Sequence, residues 1–128
     1  SMTRINCGIR AKELSDKHLI AEHREITRIP NAIKKGKFSL VGKPDYFCLG
    51  KGHVKFFYDK LGYLHKRYAK LYNECRRRGF KVQNHSDAWD DIPFEYMKDY
   101  NPMPIDRIIV QARIKTRLEE ALLKSKKL

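Results

Sequence analysis

Gly52-His-Val-Lys-Phe-Phe-Tyr-Asp-Lys-Leu61-Gly-Tyr-Leu-His-Lys-Arg-Tyr-Ala-Lys-Leu71-Tyr-Asn-Glu-Cys-Arg-Arg-Arg-Gly79 is the stretch that decides the fold. Its apolar positions Val54, Phe57, Tyr58, Leu61, Leu64, Tyr68, Leu71, Tyr72 and Cys75 recur at steps of three, one and four. That rhythm lines one face of an α-helix and fits no strand. It predicts a single helix from about Gly52 to Arg78, roughly 40 Å long at 1.5 Å per residue. Gly79 is a natural left-handed stop. Arg76, Arg77 and Arg78 fall in the last turn, where the helix dipole favours cations.

Outward from this element, Ser15 is a good N-cap for a helix running to Ile26 or Arg28, with Leu19, Ile20 and Ile26 as its apolar stripe and Pro30 as its interruption. A third helix is expected from Pro104 toward Lys124, burying Ile105, Ile108, Ala112 and Leu118, with Leu122 continuing the face. Residues 34–49 carry basic residues among the breakers Gly36, Gly42 and Pro44 and read as a surface loop. Residues 80–101 read as loop, with Trp89 and Tyr96 as packing anchors. No internal repeat and no strand pair stands out. The expectation is an all-α, single compact domain spanning 1–128, with three main helices side by side and long connecting loops.

A chain of 128 residues fits one domain with a real core. Its 28 Lys and Arg against 15 Asp and Glu give +13, a surplus that calls for a polyanionic partner, most simply nucleic acid. A membrane surface also attracts such charge. No run approaches the roughly 18 apolar residues of a bilayer span, and no signal-peptide pattern opens the chain. The expectation is a cytoplasmic protein of a bacterial or phage-infected cell, nucleoid-associated through DNA and without a membrane partner. Cys7, Cys48 and Cys75 are odd in number and widely spaced, which argues for reduced thiols. His18 and Glu22 lie one helical turn apart but lack a second ligand pair, so no metal is expected.

Three local signals bear on chemistry. Leu49-Gly-Lys-Gly-His53 brings glycines to a helix start, where a phosphate could approach free N–H groups; an ordinary flexible turn would look the same. The G-K-[ST] ending of a nucleotide-binding loop is missing. Arg113 and Arg117, four apart, share a helix face suited to gripping phosphates, or simply solvated. Glu25 sits among His23, Arg24 and Arg28. An acid inside a basic surface is costly unless it makes a salt bridge or serves the chemistry.

One such chemistry involves the chain's own amine. Ser1 precedes Met2, which ordinary translation does not produce, so Ser1 is expected to be a scar of tag removal. Met2 would be the native initiator, clipped before a small residue to leave Thr3 as the working N-terminus. An α-amine with a pKa near 8 is about 10 to 20% uncharged at neutral pH, against well under 0.1% for lysine.

Several segments together resemble the phage-type pyrimidine-dimer DNA glycosylase/AP lyases, the endonuclease V of that phage group. They are Thr3-Arg-Ile-Asn6, His18-Leu-Ile-Ala-Glu-His-Arg-Glu25, Leu49 to Leu61, Glu74-Cys-Arg-Arg-Arg-Gly-Phe80, Asp91-Ile-Pro93 and Gln111-Ala-Arg113. Their order and approximate spacing hold to about residue 118. The resemblance implies a three-helix fold with the amino-terminal segment threaded between helices. It implies attack by the Thr3 α-amine on C1′ of a damaged nucleotide, an imine intermediate, and strand cleavage by β-elimination. Glu25 matches the catalytic carboxylate. Arg4, Arg24, Arg28, Arg113 and Arg117 match positions that contact DNA or shape the site, Arg117 standing where the family has lysine. His18 matches a residue beside the site. Related enzymes kink the duplex and flip out a base opposite the lesion. The resemblance further implies a monomer acting on damaged double-stranded DNA, with no metal, no nucleotide and no organic cofactor.

Two departures stand out. About one extra residue separates Thr3 from Glu25, expected as a bulge within Cys7 to Lys12. The tail Leu122 to Leu128 has no aromatic residue, where the family's best-known member carries an aromatic-rich tail that engages the dimer. Alternative readings keep the fold and change the role: a glycosylase/lyase for another lesion or for abasic sites, or a non-catalytic basic DNA-binding module.

Overall fold

Ser15 starts the first helix as expected, its hydroxyl accepting the His18 amide at 3.2 Å. The computed structural model describes residues 2–126; Ser1 and the last two residues of the aromatic-free tail lie outside them. Helix α1 spans Asp16–Glu25 and α2 spans Arg28–Lys34. Pro30 does not interrupt this region as the sequence suggested. It occupies the first turn of α2, where an absent N–H breaks no intrahelical bond.

The long helix expected from Gly52 to Arg78 is instead two: α3, His53–Phe56, and α4, Leu61–Arg77. The chain leaves helical geometry at Lys60, with φ −120° and ψ 37°. Residues 97–98 explain the break. Lys98 N–H donates to Asp59 O at 3.2 Å, and Tyr63 N–H donates to Lys98 O at 3.2 Å, so another segment takes up groups a continuous helix would pair. Lys60 Nζ closes the turn, donating to Phe56 O at 3.0 Å from 4.0 Å above the Phe56 ring. The C-terminal end is as read: Gly79 has φ +84°, Phe80 N–H reaches Cys75 O at 2.9 Å and Gly79 N–H reaches Arg76 O at 3.0 Å, the paired bonds of a Schellman stop.

Helix α5 runs Pro104–Lys126, but its buried face differs from the expected one. Ile105, Ile108, Leu118 and Leu122 are 48 to 61% exposed, and Ala112 is exposed as well. Asp106 and Val110 are buried instead, with Ile109, Arg113 and Ile114 half-buried. Polar anchoring sets the rotation. Asp106 accepts the Met103 amide at 2.9 Å and the Tyr100 hydroxyl at 2.5 Å, capping the helix start from inside the protein. Counting apolar residues alone could not find that face.

Helix α1 lies against α4, and Trp89, in a 3₁₀ turn over Ser86–Trp89, packs on Tyr68 of α4. Helix α5 seats on the amino-terminal segment: Arg107 bonds Gly8 O at 3.2 Å and Arg113 bonds Asn6 Oδ1 at 2.6 Å. Ile5, Cys7 and Ile9 of that segment join Leu19, Ile26, Phe57, Leu64 and Leu71 in one core. The segment is thus threaded between helices, and the domain is all-α with three main helices, α1, α4 and α5. Among the described residues there is no strand, only an isolated bridge between Lys60 and Met97.

The Lys98 crossing gives a sharp test. A Cβ on Gly62 would lie 2.5 Å from Met97 O and 3.0 Å from Lys98 O. Glycine to alanine inside a helix ordinarily stabilises by about 0.5–1 kcal/mol. Gly62→Ala is expected to do the opposite and cost about 1–3 kcal/mol in urea unfolding; an unchanged or raised midpoint contradicts the close approach.

Candidate active site

The amino-terminal segment has no secondary structure, so its amides need other partners. Side chains supply them one after another. Arg4 N–H donates to Glu25 Oε1 at 2.9 Å, Ile5 N–H to His53 Nε2 at 2.9 Å, and Asn6 N–H to Glu22 Oε1 at 3.2 Å. Asn6 Nδ2 reaches the same Glu22 oxygen at 2.7 Å. Arg67 of α4 holds Glu22 through Nε and, at 2.9 Å, through Nη2, while its Nη1 bonds Ile9 O at 2.8 Å.

Glu22 and Glu25 stand one turn apart on α1, so both face the segment. They line a cavity of about 40 Å³ with Arg4, Asn6, His18, Ala21, Arg113, Ile114 and Arg117. Five of the residues singled out from the sequence (Arg4, His18, Glu25, Arg113 and Arg117) therefore meet at one place. Thr3 is half-buried beside it, its nitrogen separated by two backbone atoms from the Arg4 nitrogen that Glu25 holds. Arg24 is set apart from the cavity: its side chain is 67% exposed, with Nη2 3.8 Å from Glu25 Oε2. Arg28 reaches Met2 O at 3.1 Å, outside the cavity wall. A groove of about 620 Å³ continues from Arg4 and His18 between the start of α1 and the second half of α5. A further cleft of about 440 Å³ opens beside Arg113 and Arg117 toward Leu49.

The wall is cationic. Burial first, then the nearby Arg4, lowers Arg113 from its ordinary value. Burial also lowers His18, assisted by Arg113 and Lys17. Arg4 Nε is buried without a hydrogen-bond partner among the described residues. Such crowding of like charge favours an anion. The His18–Glu22 pair is not arranged as metal ligands, because Glu22 is committed to Asn6 and Arg67 and His18 Nδ1 lies 3.1 Å from Ser15 Oγ. Leu49-Gly-Lys-Gly-His53 turns out to shape the chain: Gly52, at φ +94°, caps a helix of only 4 residues, too short to build a useful dipole.

Trp89 and Tyr100 are taken up inside the protein. Trp89 is 4% exposed, and Tyr100 bonds Asp106 while packing edge-on against Phe56. Asn6, Glu22, Arg67 and His53 are the site residues that sequence reasoning left without a role. Glu22 alone left a signal, as a second acid one turn before Glu25.

An all-α domain with a carboxylate and a buried amino-terminal segment beside a cationic cavity suits an anionic substrate. A family model described as pyrimidine dimer DNA glycosylase matches residues 2–88, well over half the chain. The chain belongs to that family, whose function is DNA repair by pyrimidine-dimer glycosylase action and whose substrate is DNA. The match includes the segment, α1 and α4, and stops before α5. Among the described residues, no helix is long and apolar enough to cross a membrane.

Breaking the Glu22–Arg67 pair from one side strands a buried charge. Glu22→Gln is expected to cost about 3–5 kcal/mol in urea unfolding; a loss under about 1 kcal/mol would show that the pair does not fix the segment. The histidines add a pH dependence. His18, His23 and His53 are all lowered from their ordinary 6.5, burial being the largest cause for each. Below about 6.5 the unfolded chain takes up protons that the folded chain refuses, so stability falls as pH falls. The urea midpoint at pH 5.5 is expected to lie below that at pH 7.5, and a flat profile contradicts it.

Proposed function

We propose that the chain excises pyrimidine dimers from duplex DNA as a combined N-glycosylase and AP lyase, with the Thr3 α-amine as nucleophile and Glu25 as its acid/base partner. The observation that carries this reading is the 2.9 Å bond from Arg4 N–H to Glu25. A carboxylate held against the amide that follows Thr3, in a cavity lined by arginines, supports this pairing.

The amine nitrogen attacks C1′ of the damaged nucleotide, and the bond from C1′ to the base breaks. Opening of the sugar gives an imine between Thr3 and C1′. Loss of a proton from C2′ then expels the 3′ phosphate by β-elimination, and water releases the amine. Covalent catalysis divides one hard step in two, and a carboxylate in place can move the protons and stabilise the developing cation. Arg4, Arg113 and Arg117, beside His18, would hold the flanking phosphates, with Arg24 and Arg28 at the rim.

The reactive form is the one in which Thr3 carries the free amine. With Met2 attached, Arg28 bonds Met2 O at 3.1 Å and Arg4 Nη2 approaches Met2 Sδ at 3.5 Å. Two preceding residues shift a free amine by up to roughly 7 Å, far beyond the tolerance of a positioned attack. A dimer-containing duplex and an abasic duplex, each with borohydride, provide the test. A chain beginning at Thr3 is expected to trap on both, the form extended by Ser1-Met2 to bind but trap poorly, and Glu25→Gln to lose roughly 10²–10⁴-fold in rate. Equal trapping by the extended form would remove Thr3 from its role, trapping on the abasic duplex alone would change the lesion, and no adduct at all would leave a DNA-binding module.

A further inference from the structure

We infer that His53, an α3 residue with no assigned part in the chemistry, is a positioning residue that clamps the nucleophilic segment from the side opposite the two α1 carboxylates. This role rests on the amine mechanism above. In extended chain, successive amides point to opposite sides. Arg4 and Asn6 N–H face Glu25 and Glu22 of α1, and the intervening Ile5 N–H faces His53 Nε2 at 2.9 Å. The carboxylates hold the amides of Arg4 and Asn6, and His53 holds the one amide between them.

His53 is built for a single tautomer. Its Nδ1 lies 2.8 Å from Cys48 O, a group that can only accept, so Nδ1 carries the proton. Nε2 is then a lone pair aimed at the Ile5 amide. A protonated ring would set donor against donor. The ring is 4% exposed and wedged edge-on between Phe47 at 5.4 Å and Phe57 at 5.6 Å. Burial is the largest influence on its protonation and disfavours it, Arg113 of α5 acting in the same direction; the Cys48 carbonyl and Glu22 of α1 favour it, and the balance lowers His53 from its ordinary value. The ring cannot follow the segment if the segment shifts. It therefore sets the height at which Arg4 N–H meets Glu25, and with it the position of Thr3.

The distinguishing variants are His53→Phe, which keeps a ring and removes the acceptor, and His53→Gln, which returns an acceptor oxygen. Both are made in the chain beginning at Thr3. Borohydride trapping on an abasic duplex is timed alongside affinity for an undamaged duplex. His53→Phe is expected to slow trapping by about ten- to a hundredfold, as a displacement of the attacking atom by about 1 Å would. His53→Gln is expected to recover most of the rate, with duplex affinity unchanged in both. In ¹⁵N-labelled wild type, a scalar coupling between the Ile5 amide nitrogen and His53 Nε2 is expected across the hydrogen bond. Equal trapping by His53→Phe, no recovery in His53→Gln, a parallel loss of duplex affinity, or a ring protonated on Nε2 each overturns the proposal. A wild type that shows the coupling but never traps overturns the amine mechanism, and this role with it, while the clamp itself stands.

Discussion

The buried ion pair between Glu22 and Arg67 is the constraint on which the rest of the site depends. Glu22 is 1% exposed and Arg67 7%. Burial works against the Arg67 charge, yet the field and hydrogen bonds of Glu22 outweigh it and raise Arg67 above its ordinary value. Such a pair adds little net stability over a well-packed apolar one, because both ions give up their water. What it adds is geometry. Glu22 has acceptor capacity left for the Asn6 backbone and side chain, and Arg67 has a donor left for Ile9 O. An apolar pair would fill the same space and hold neither end of the segment.

Elsewhere several acidic residues are paired with bases within the structure. Glu13 pairs with Arg107, Glu74 with Arg77 and Arg78, and Asp59 with Lys60. Arg78 also bonds Asp16 and the carbonyls of Lys12 and Leu14, tying the end of α4 to the chain before α1. The cavity's own acids are engaged as well, Glu22 by Asn6 and Arg67 and Glu25 by the Arg4 amide, while Arg4, Arg113 and Arg117 line the same wall. The net +13 is therefore focused as well as large. A phosphate arriving there meets crowded cations, of which Arg113 is partly desolvated, and this strengthens its hold.

The helical class, the Ser15 cap, the Gly79 stop and the meeting of five site residues were legible because each follows from local rules or from motif resemblance. What escaped was set by contacts distant in sequence. Nothing within residues 52–78 announces that Lys98 will cross the start of α4, so the apolar rhythm read straight through the break. The orientation of α5 was missed for a related reason: its inner face is chosen by Asp106 and Arg113, polar residues that hydrophobic counting assigns to solvent. His53 was hidden behind the glycines of its own turn. A histidine whose partners are a backbone amide 48 residues away and a carbonyl 5 residues away leaves no pattern in the chain.

The site also divides along the chain. The amino-terminal segment, Glu22, Glu25, His53 and Arg67 lie within residues 2–88, which the family model matches. Arg113 and Arg117 come from α5, beyond it. The two parts meet through Arg113 to Asn6 Oδ1 at 2.6 Å, Arg107 to Gly8 O at 3.2 Å and Arg107 to the Glu13 carboxylate at 2.6 and 2.8 Å. The proposed nucleophile and carboxylate are thus fixed by α1, α3 and α4 whatever the far half of α5 carries. That far half presents Leu118, Leu122 and Leu123, each more than half exposed. A change there would leave the atoms proposed to react in place.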